Sequence, residues 1–573
     1  MVHVLAFSSR VRLVIPSAPH SHGGLLQSAE DSDCSEGRRQ VSGTYKDSFY
    51  LDPTSADEII RVVMIMQPKT SAGYDNISME TIKSVITYIA EPLSKIINKS
   101  FSTGLVPDQL KIAKVCPIFK NGDRSQFNNY RPISVLPTFS KIVEKLICNR
   151  LVSYLSKHAI LCCNQFGFRS NHDTSMAVID MVDKISSAMD SSHFSIGVFV
   201  DLSKAFDTLN HKILLAKLNH YGIRGIALDW FESYLNNRYQ YVEYNGVKSN
   251  LCRIKCGVPQ GSVLGPVLFL LYINDIVNAT KSLELILFAD DTNLFMSDAN
   301  LDRLIATVNS DLICLANWFA VNRLSLNVNK TNFILFTNAR KVYDKSSIAV
   351  KFNGTLLIQV PCAKFLGVYI DEHLSWDKHI QQVAAKVSRN VGVLQKLRFS
   401  VPQSCLMMLY NSLIFPYLHY CCIVWGCVGM TKLNPLILLQ KKCVRIIANT
   451  GPRSHSAILF KKFSMLKVNE VCIFQTVLFM FKFTKDYLPR TFSTYFTCAS
   501  SSHHYSTRSS RSGYLIPSVK TTVRQRNIRY RGPVTWNKLP VEIQNSTSLF
   551  SFKTLLGKYL INSYKSASIL QEN

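Results

Sequence analysis

The sequence predicts an α+β fold in which helices precede and follow a central region of mixed helices and strands. Apolar residues recur at helical spacing from about Ser55 to Ser102, and again from Ile380 onwards, where cations are interleaved with them. Between these regions, short apolar runs are separated by turn signals such as Asn245-Gly246, a strong two-residue signal for a β-hairpin. The sequence has no internal repeat of fixed period.

The N-terminal part and the first strands follow from local patterns. Residues 1–45 are predicted to be a flexible leader, because 20–43 is polar and rich in Gly and Ser. Residues 46–99 are predicted to form an N-terminal helical extension. The turn signal at 120–123 lies between short apolar runs in 112–135, which predicts two strands, and a helix is expected over 140–155.

The central elements are defined by apolar runs that end in acidic residues. Phe194–Val200 is predicted to be a buried strand that ends at Asp201, and a helix follows from about Lys212. Within residues 285–295, two apolar runs flank the acidic pair Asp290-Asp291, and this pattern predicts a second hairpin. A helix is then expected from Leu301, and strands return at 332–337 and 364–370.

The composition favours a polyanionic partner. The 573 residues include 65 Lys+Arg and 38 Asp+Glu, a formal net charge of +27. Hydrophobic residues make up 47% and charged residues 18%, so the chain can bury a large core and is not a disordered polyelectrolyte. A charge excess in a globular composition points to nucleic acid first and to an anionic membrane surface second.

Cysteine usage and hydropathy predict a location in the nucleus and cytoplasm. The 16 cysteines are scattered without a Cys-x2-Cys pair, which favours reduced thiols over a zinc site. Arg10 and Arg12 interrupt the apolar N-terminus and argue against a signal peptide. The longest uncharged run, between Arg398 and Lys432, is interrupted by polar residues and Pro416, so buried helices are expected and no membrane partner.

Carboxylates at the ends of apolar strands are unexpected in so basic a chain. Asp201 follows one strand, and Asp290 and Asp291 form the tip of the second hairpin. Such groups repel each other unless divalent cations neutralise them. Three carboxylates on neighbouring strands could hold two Mg²⁺ ions, one activating an attacking hydroxyl and the other stabilising the leaving oxygen of a phosphoryl displacement. For the isolated Asp-Asp pair, a solvated turn is the alternative.

Eight segments occur in a characteristic order, among them Phe288-Ala-Asp-Asp291 and Gly257-Val-Pro-Gln-Gly261. The eight segments are 117–123, 129–134, 164–169, 201–207, 257–266, 288–291, 326–331 and 364–368. Together they resemble the finger and palm motifs of reverse transcriptases from non-LTR (LINE-type) retrotransposons. The tail resembles jockey-type elements at 374–376, 532–537 and 539–540.

The resemblance implies a right-hand polymerase with an antiparallel palm sheet and a basic, helical C-terminal region. Its fingers and palm would span 100–370, a helical thumb 371–450, and a nucleic-acid-binding region 451–573. The implied activity is RNA-directed DNA polymerisation, with two Mg²⁺ ions that Mn²⁺ could replace. The implied partners are template RNA, a DNA primer and dNTP substrates. An endonuclease in trans is also expected, because little chain precedes the fingers.

The resemblance also assigns catalytic roles to single residues. Asp201, Asp290 and Asp291 would be the catalytic metal ligands. Lys330 matches the fourth-motif lysine and would donate a proton to pyrophosphate; an ordinary exposed lysine is the alternative.

Five residues would bind the incoming nucleotide. Lys120 and Arg131 would grip its triphosphate, Arg by bidentate contact and Lys as a point charge. Gln260 and Gly261 would lie beneath the nucleotide and template base. Phe206 occupies the steric-gate position, where an aromatic ring would exclude a ribose 2′-hydroxyl; a core aromatic is the alternative, and both roles are compatible.

Seven further basic residues are expected to contact the nucleic-acid backbone, with a solvated basic face as the alternative. They are Arg169, Lys386, Arg389, Arg524, Arg526, Arg529 and Arg531.

Two other functions compete with this interpretation. A viral RNA-directed RNA polymerase shares the palm, but Phe288-Ala precedes the Asp pair where that class has Gly, and Phe206 fills the deoxy-selecting position. A catalytically silent or repurposed RNA-binding protein derived from a retroelement is the second alternative. The intact core motifs argue against it.

Overall fold

A computed structural model describes residues 46–203, 205–344, 348–499 and 513–565. The predicted leader, 1–45, lies outside the described residues. Helices α1 (Ala56–Ile65) and α2 (Met79–Thr103) come first. Each begins at a serine whose hydroxyl accepts a backbone N–H of the first turn, and Gly104 ends α2 in the left-handed conformation.

The first sheet is built around a long hairpin. Its strands are β1 (Ile112–Phe119), β2 (Tyr130–Val135), β4 (Arg238–Tyr244), β5 (Val247–Lys248) and β6 (Cys252–Ile254). β1 pairs antiparallel with β2 and parallel with β4, and β4 pairs antiparallel with both β5 and β6. The turn at Asn245-Gly246 joins β4 to β5, as its sequence predicts.

The second sheet carries the acidic residues. Its strands are β3 (Phe194–Val200), β7 (Glu284–Phe288), β8 (Asp291–Asp298), β9 (Asn332–Phe336) and β12 (Ile358–Gln359). Their order is β12–β9–β3–β8–β7, antiparallel except for the parallel pair of β12 with β9. β3 is central and every one of its residues is buried, which confirms the predicted strand.

Two short hairpins lie beside this sheet, formed by β10 (Lys351–Phe352) with β11 (Thr355–Leu356) and by β13 (Cys362–Phe365) with β14 (Val368–Asp371). The second hairpin shows that the extended structure predicted over 364–370 consists of two strands. Leu366 and Gly367 have φ of 43° and 86°, so the chain reverses between the two strands.

The second sheet separates two hydrophobic cores, because successive residues of a strand face opposite sides. In β9, Phe333 and Leu335 face one core, and Ile334 and Phe336 face the other. The helices between the strands are α3 (Thr138–Lys157), α4 (Thr174–Asp190), α5 (His211–His220), α6 (Ile226–Leu235), α7 (Gly265–Ile273) and α8 (Leu301–Val321). Only α4, of these six, contributes to the core shared with the C-terminal helices.

α8 is the one described helix that is long and apolar enough to cross a membrane by length and composition. Leu304, Val308, Leu312 and Leu315 are completely buried along one side of it. These residues recur every three or four positions, as the sequence predicts, and they belong to the core on one face of the sheet. Packing against the sheet therefore accounts for the apolar composition of α8.

Helices dominate after β14. They are α9 (Asp377–Leu397), α10 (Gln403–Leu413), α11 (Phe415–His419), α12 (Cys422–Trp425), α13 (Met430–Ile447), α14 (Ser456–Lys462), α15 (Val468–Thr484), α16 (Thr522–Gln525), α17 (Ile528–Trp536), α18 (Val541–Gln544) and α19 (Leu549–Asn562). The uncharged run between Arg398 and Lys432 forms α10, α11 and α12, as well as the start of α13, and their apolar residues join the core.

Candidate active site

The pairing of β3 with β8 brings Asp201 next to Asp291. Val200 pairs with Thr292, so the residues just beyond this pair lie at the same edge of the sheet. Phe288 pairs with Asp291, which leaves Ala289 and Asp290 as the turn between β7 and β8. The three predicted carboxylates therefore lie together at one end of two adjacent strands.

The three carboxylates influence each other electrostatically. Partial burial, followed by the charges of Asp290 and Asp201, raises the pKa of Asp291 to about 6. Burial is also the main cause that raises the pKa of Asp290; Asp201 adds to the increase, and Arg131 and Lys120 oppose it. The side chains of Asp290 and Asp291 still reach solvent, so they remain available to a ligand.

The donor set suits a hard divalent cation, which prefers carboxylate oxygens. In the described part of the chain, no three His, Cys, Asp or Glu side chains converge closely enough to hold one ion as they stand. By their chemistry and their place at one edge of the sheet, Asp201, Asp290 and Asp291 fit a site for such a cation.

Lys330 lies beside the first carboxylate. Its Nζ is 3.8 Å from Oδ2 of Asp201, and both side chains are substantially exposed, at 66% and 46%. The backbone holds this arrangement, because Asn327 N–H donates to the carbonyl of Asp201 at 2.9 Å. The fourth-motif lysine is thus within reach of the acidic site, as the resemblance implies.

Lys120 and Arg131 belong to the hairpin of β1 and β2. Lys120 follows β1 and its N–H donates to the carbonyl of Asn129 at 2.8 Å, while Arg131 pairs with Ile118. Both cationic side chains are exposed, and no ion pair among the described residues engages them. Their effect on the pKa of Asp290 shows that their positive charge reaches the acidic site.

The Pro-Gln-Gly loop packs against β2. Ser134 N–H donates to the carbonyl of Gln260 at 2.7 Å. Gly261 has φ of 124°, and a Cβ atom there would lie 2.5 Å from the carbonyl oxygen of Ser134. Gly261 therefore permits a close backbone approach that other residues could not make.

Phe206 is part of an aromatic group rather than an isolated ring. It stacks on Phe269, with ring centroids 4.5 Å apart, and meets the edge of Phe168 at 6.2 Å. Its backbone carbonyl accepts a hydrogen bond from Val258 at 2.9 Å. The ring is half-buried, which agrees with both the steric-gate and the core interpretations.

The side chain of Arg169 forms hydrogen bonds to backbone carbonyls a few residues earlier in the chain. Its Nη1 donates to the carbonyls of Cys162 at 2.6 Å and Gln165 at 3.1 Å. Burial is the main cause that lowers its pKa. These contacts give Arg169 a local structural role, and its expected contact with nucleic acid stays a prediction.

Glu144 is a buried residue of this region that sequence reasoning missed. Its Oε2 accepts the backbone N–H groups of Val263 at 2.6 Å and Leu264 at 3.3 Å, just before α7. Tyr234 also donates to this carboxylate, at 3.2 Å. Burial raises the pKa of Glu144, and Arg238 opposes the increase. No local pattern marks Glu144, because Val263 lies 119 residues further along the chain.

The cations of α9 differ from those of the C-terminal helices. Lys386 and Arg389 are on the exposed face of α9, with Lys386 Nζ 5.4 Å from the ring centre of Tyr417. They remain available to a polyanion.

Three C-terminal arginines contact this chain's own groups, and their predicted contacts with nucleic acid stay a prediction. Arg524 and Arg529 form ion pairs with the two oxygens of Asp183 on α4, at 2.6 and 2.8 Å. Arg531 is largely buried, which lowers its pKa, and its Nη1 is 3.6 Å from Cys472 Sγ. Arg526 is half-buried beside them. The sequence did not reveal that α4 presents an acidic residue to this region.

The segment that contains the acidic residues matches a known family. Residues 118–370 match the model of the family described as "Reverse transcriptase (RNA-dependent DNA polymerase)". Residues 118–370 are therefore similar to a reverse transcriptase domain, and the helices and mixed sheets of the chain agree with the predicted α+β class.

Most of the chain is similar to polymerases of non-LTR retrotransposons. It is 27% identical over 431 residues to the RNA-directed DNA polymerase from mobile element jockey of Drosophila melanogaster, covering 73% of this chain and 46% of the relative. It is 28% identical over 444 residues to the probable RNA-directed DNA polymerase from transposon BS of the same species, covering 74% and 48%. The chain spans about half the length of the curated relatives it matches.

Proposed function

We propose that the protein is an RNA-directed DNA polymerase of a jockey-like non-LTR retrotransposon. It extends the 3′-hydroxyl of a DNA primer with dNTPs on an RNA template. The observation that carries this proposal is the placement of Asp201, Asp290 and Asp291 at one end of β3, β7 and β8, inside the segment that matches the reverse transcriptase family.

The architecture supports an assignment of polymerase subdomains. The sheet around β3 is the palm, and the hairpin of β1 and β2 belongs to the fingers, within 100–370. The helices of 371–450 form the thumb, and 46–99 form the N-terminal extension. Residues 451–573 form a C-terminal region whose described helices share a hydrophobic core with the thumb, through residues such as Trp425, Phe479 and Trp536.

Asp201, Asp290 and Asp291 would hold two Mg²⁺ ions, which Mn²⁺ could replace. When bound, the ions would neutralise phosphate oxygens and lower the pKa of the attacking hydroxyl. The chain's own residues orient the substrate around them. Lys120 and Arg131 bind the triphosphate, and Phe206, held by Phe269, excludes a 2′-hydroxyl.

The reaction forms a bond between the primer 3′-oxygen and the α-phosphorus of the dNTP, and breaks the bond from that phosphorus to the bridging oxygen. The hydroxyl proton passes to solvent. Lys330 Nζ donates a proton to the departing pyrophosphate, which its position beside Asp201 supports. Gln260 and Gly261 support the template base and nucleotide from the loop that packs on β2.

Template RNA and the DNA primer are the proposed macromolecular partners. Lys386 and Arg389, on the exposed face of α9, contact their backbone. An endonuclease acting in trans and a location in the nucleus and cytoplasm stay predictions.

Primer extension tests the proposal. The purified chain is incubated with an RNA template, a labelled DNA primer, dNTPs and Mg²⁺, beside a variant that carries both Asp290→Ala and Asp291→Ala. Full-length cDNA from the unchanged chain alone is the expected result. An unchanged chain that binds RNA but extends no more primer than the variant would establish the alternative, a catalytically silent or repurposed RNA-binding protein.

A further inference from the structure

Gln165 makes an unusual pair of contacts behind the acidic turn. Its side chain is 2% exposed. The amide oxygen Oε1 accepts two backbone N–H groups, from Gly167 at 2.8 Å and from Ala289 at 3.0 Å. The second contact joins residues 124 positions apart in the chain, so it couples two separate motifs.

The chemistry of these contacts fixes the orientation of the amide. Both partners are donors, so the oxygen must face them and a flipped amide would place a donor against two donors. Nε2 is then left buried without a partner among the described residues. Leaving a buried donor unsatisfied is unfavourable. The side-chain oxygen of Gln165 therefore accepts two hydrogen bonds, whereas the side-chain nitrogen has no partner among the described residues.

The turn that Gln165 contacts has a strained backbone. Ala289 has φ of 55°, in the left-handed region that is unfavourable for a residue with a Cβ. Ala289 directly precedes Asp290, so its backbone conformation sets the direction of that carboxylate. The hydrogen bond from Ala289 N–H to Gln165 stabilises this conformation.

The segment that carries Gln165 is itself held firmly against β7. Phe166 N–H donates to the carbonyl of Leu287 at 2.8 Å, and Leu287 N–H donates to the carbonyl of Asn164 at 2.9 Å. A Cβ atom on Gly167 would lie only 2.3 Å from Ala289 N, so the two backbones are in direct contact. Gln165 therefore contacts the turn from a rigid support.

We propose that Gln165 is a positioning residue for the acidic site. Its amide oxygen holds the Ala289–Asp290 turn in the conformation that presents Asp290 and Asp291 to divalent cations, and so it sets the affinity for those cations. This inference rests on the proposed function, because it assumes that these carboxylates bind metal ions.

Two near-isosteric substitutions test it. Gln165→Met removes the acceptor, and Gln165→Glu retains one. Gln440→Met is the matched control, since Gln440 is also buried, at 1% exposure, and its Oε1 accepts the N–H of Val468 on α15 at 3.0 Å. Mn²⁺ binding is titrated by electron paramagnetic resonance, thermal unfolding is followed in parallel, and the Mg²⁺ concentration for half-maximal primer extension is measured.

Gln165→Met is expected to weaken Mn²⁺ binding by about 10–100-fold, the usual effect of removing a residue that orients metal ligands. The Mg²⁺ requirement should rise in parallel, and Gln165→Glu should recover most of the loss. Gln440→Met should lower the unfolding temperature and leave both metal measurements unchanged. Should Gln165→Met fail to fold, Gln165→Asn, whose shorter side chain cannot reach both N–H groups, is expected to show the same loss.

Unchanged Mn²⁺ affinity in Gln165→Met, or an equal loss in Gln165→Glu, would overturn the inference. The variant with Asp290→Ala and Asp291→Ala separates this failure from failure of the proposed function. If the unchanged chain binds no more Mn²⁺ than that variant, the proposal of a metal site at these aspartates is wrong. If the site exists but is insensitive to Gln165→Met, only the positioning role is wrong.

Discussion

The side-chain nitrogen of Gln260 donates to both carboxylate oxygens of Asp207, at 2.9 Å each. The contact joins the Pro-Gln-Gly loop to the chain that follows Asp201. Because the Gln260 side-chain nitrogen donates to Asp207, we propose that Gln260 supports the nucleotide site by holding the Pro-Gln-Gly loop in place.

Asp207→Ala should therefore impair nucleotide use. It removes a hydrogen bond to a charged group, worth about 1.5–3 kcal/mol, so kcat/KM for a dNTP should fall about 10–100-fold. Single-nucleotide incorporation measures the effect. In a double-mutant cycle, Gln260→Ala should add little once Asp207 is replaced; fully additive losses would show that the two residues act independently.

Phe206→Val should relax the choice of sugar. The smaller side chain leaves room for a 2′-hydroxyl, so incorporation of rNTPs relative to dNTPs should rise about tenfold or more. Phe550→Val, on the exposed face of α19, is the control. The steric-gate role is wrong if Phe206→Val lowers dNTP incorporation without changing the ratio.

His379 should make stability depend on pH. Its ring is 4% exposed, and burial, assisted by Lys386, lowers its pKa to about 4. Between pH 6.5 and about 4 the unfolded chain binds a proton that the folded chain does not, so stability is fully present above pH 6.5 and is lost as the pH falls towards 4.

His379→Asn retains an acceptor for the N–H of Tyr369, which His379 Nδ1 accepts at 3.3 Å, and cannot be protonated in this range. Denaturant unfolding at pH 7 and pH 4 should show that the original chain loses up to about 3 kcal/mol more than the variant. Equal losses in both proteins would contradict the assignment.

Asp183→Ala should loosen the attachment of the C-terminal region. Removing the carboxylate leaves Arg524 and Arg529 without their partner in a largely buried place, at a cost of about 3–5 kcal/mol. Denaturant unfolding measures this cost, with Asp302→Ala, an exposed residue of α8, as the control.

The salt dependence of RNA binding supplies a second readout. Arg524→Ala should lower stability and leave the slope of RNA affinity against salt unchanged, because the ion pair with Asp183 occupies its charge. If Arg524→Ala instead reduces the slope by about one unit, the predicted contact between Arg524 and phosphate is supported.

The parts that could be predicted from sequence are those with local signals. The apolar run of Phe194–Val200 ending in Asp201 defines β3, and the alternation around Asp290 and Asp291 defines the hairpin of β7 and β8. Because adjacent strands place their ends together, these two patterns were enough to gather the carboxylates.

The contacts that support the site carry no such signal. Arg524 meets Asp183 across 341 positions, and the Ala289–Gln165 contact spans 124. Each contact depends on which elements pack together, which neighbouring residues in the sequence do not indicate. The same reason explains why Glu144 was missed.

Single-turnover addition of one dNTP to a DNA primer on an RNA template tests the central claim most directly. Asp201→Asn is compared with Asp298→Asn, a change at the opposite end of β8, where Asp298 pairs with Arg303. Asp201→Asn should lose several kcal/mol of transition-state stabilisation, hence about a thousandfold in rate, and Asp298→Asn should stay within about twofold of the unchanged chain. Comparable rates for both variants would contradict the assignment of the three carboxylates as the catalytic site.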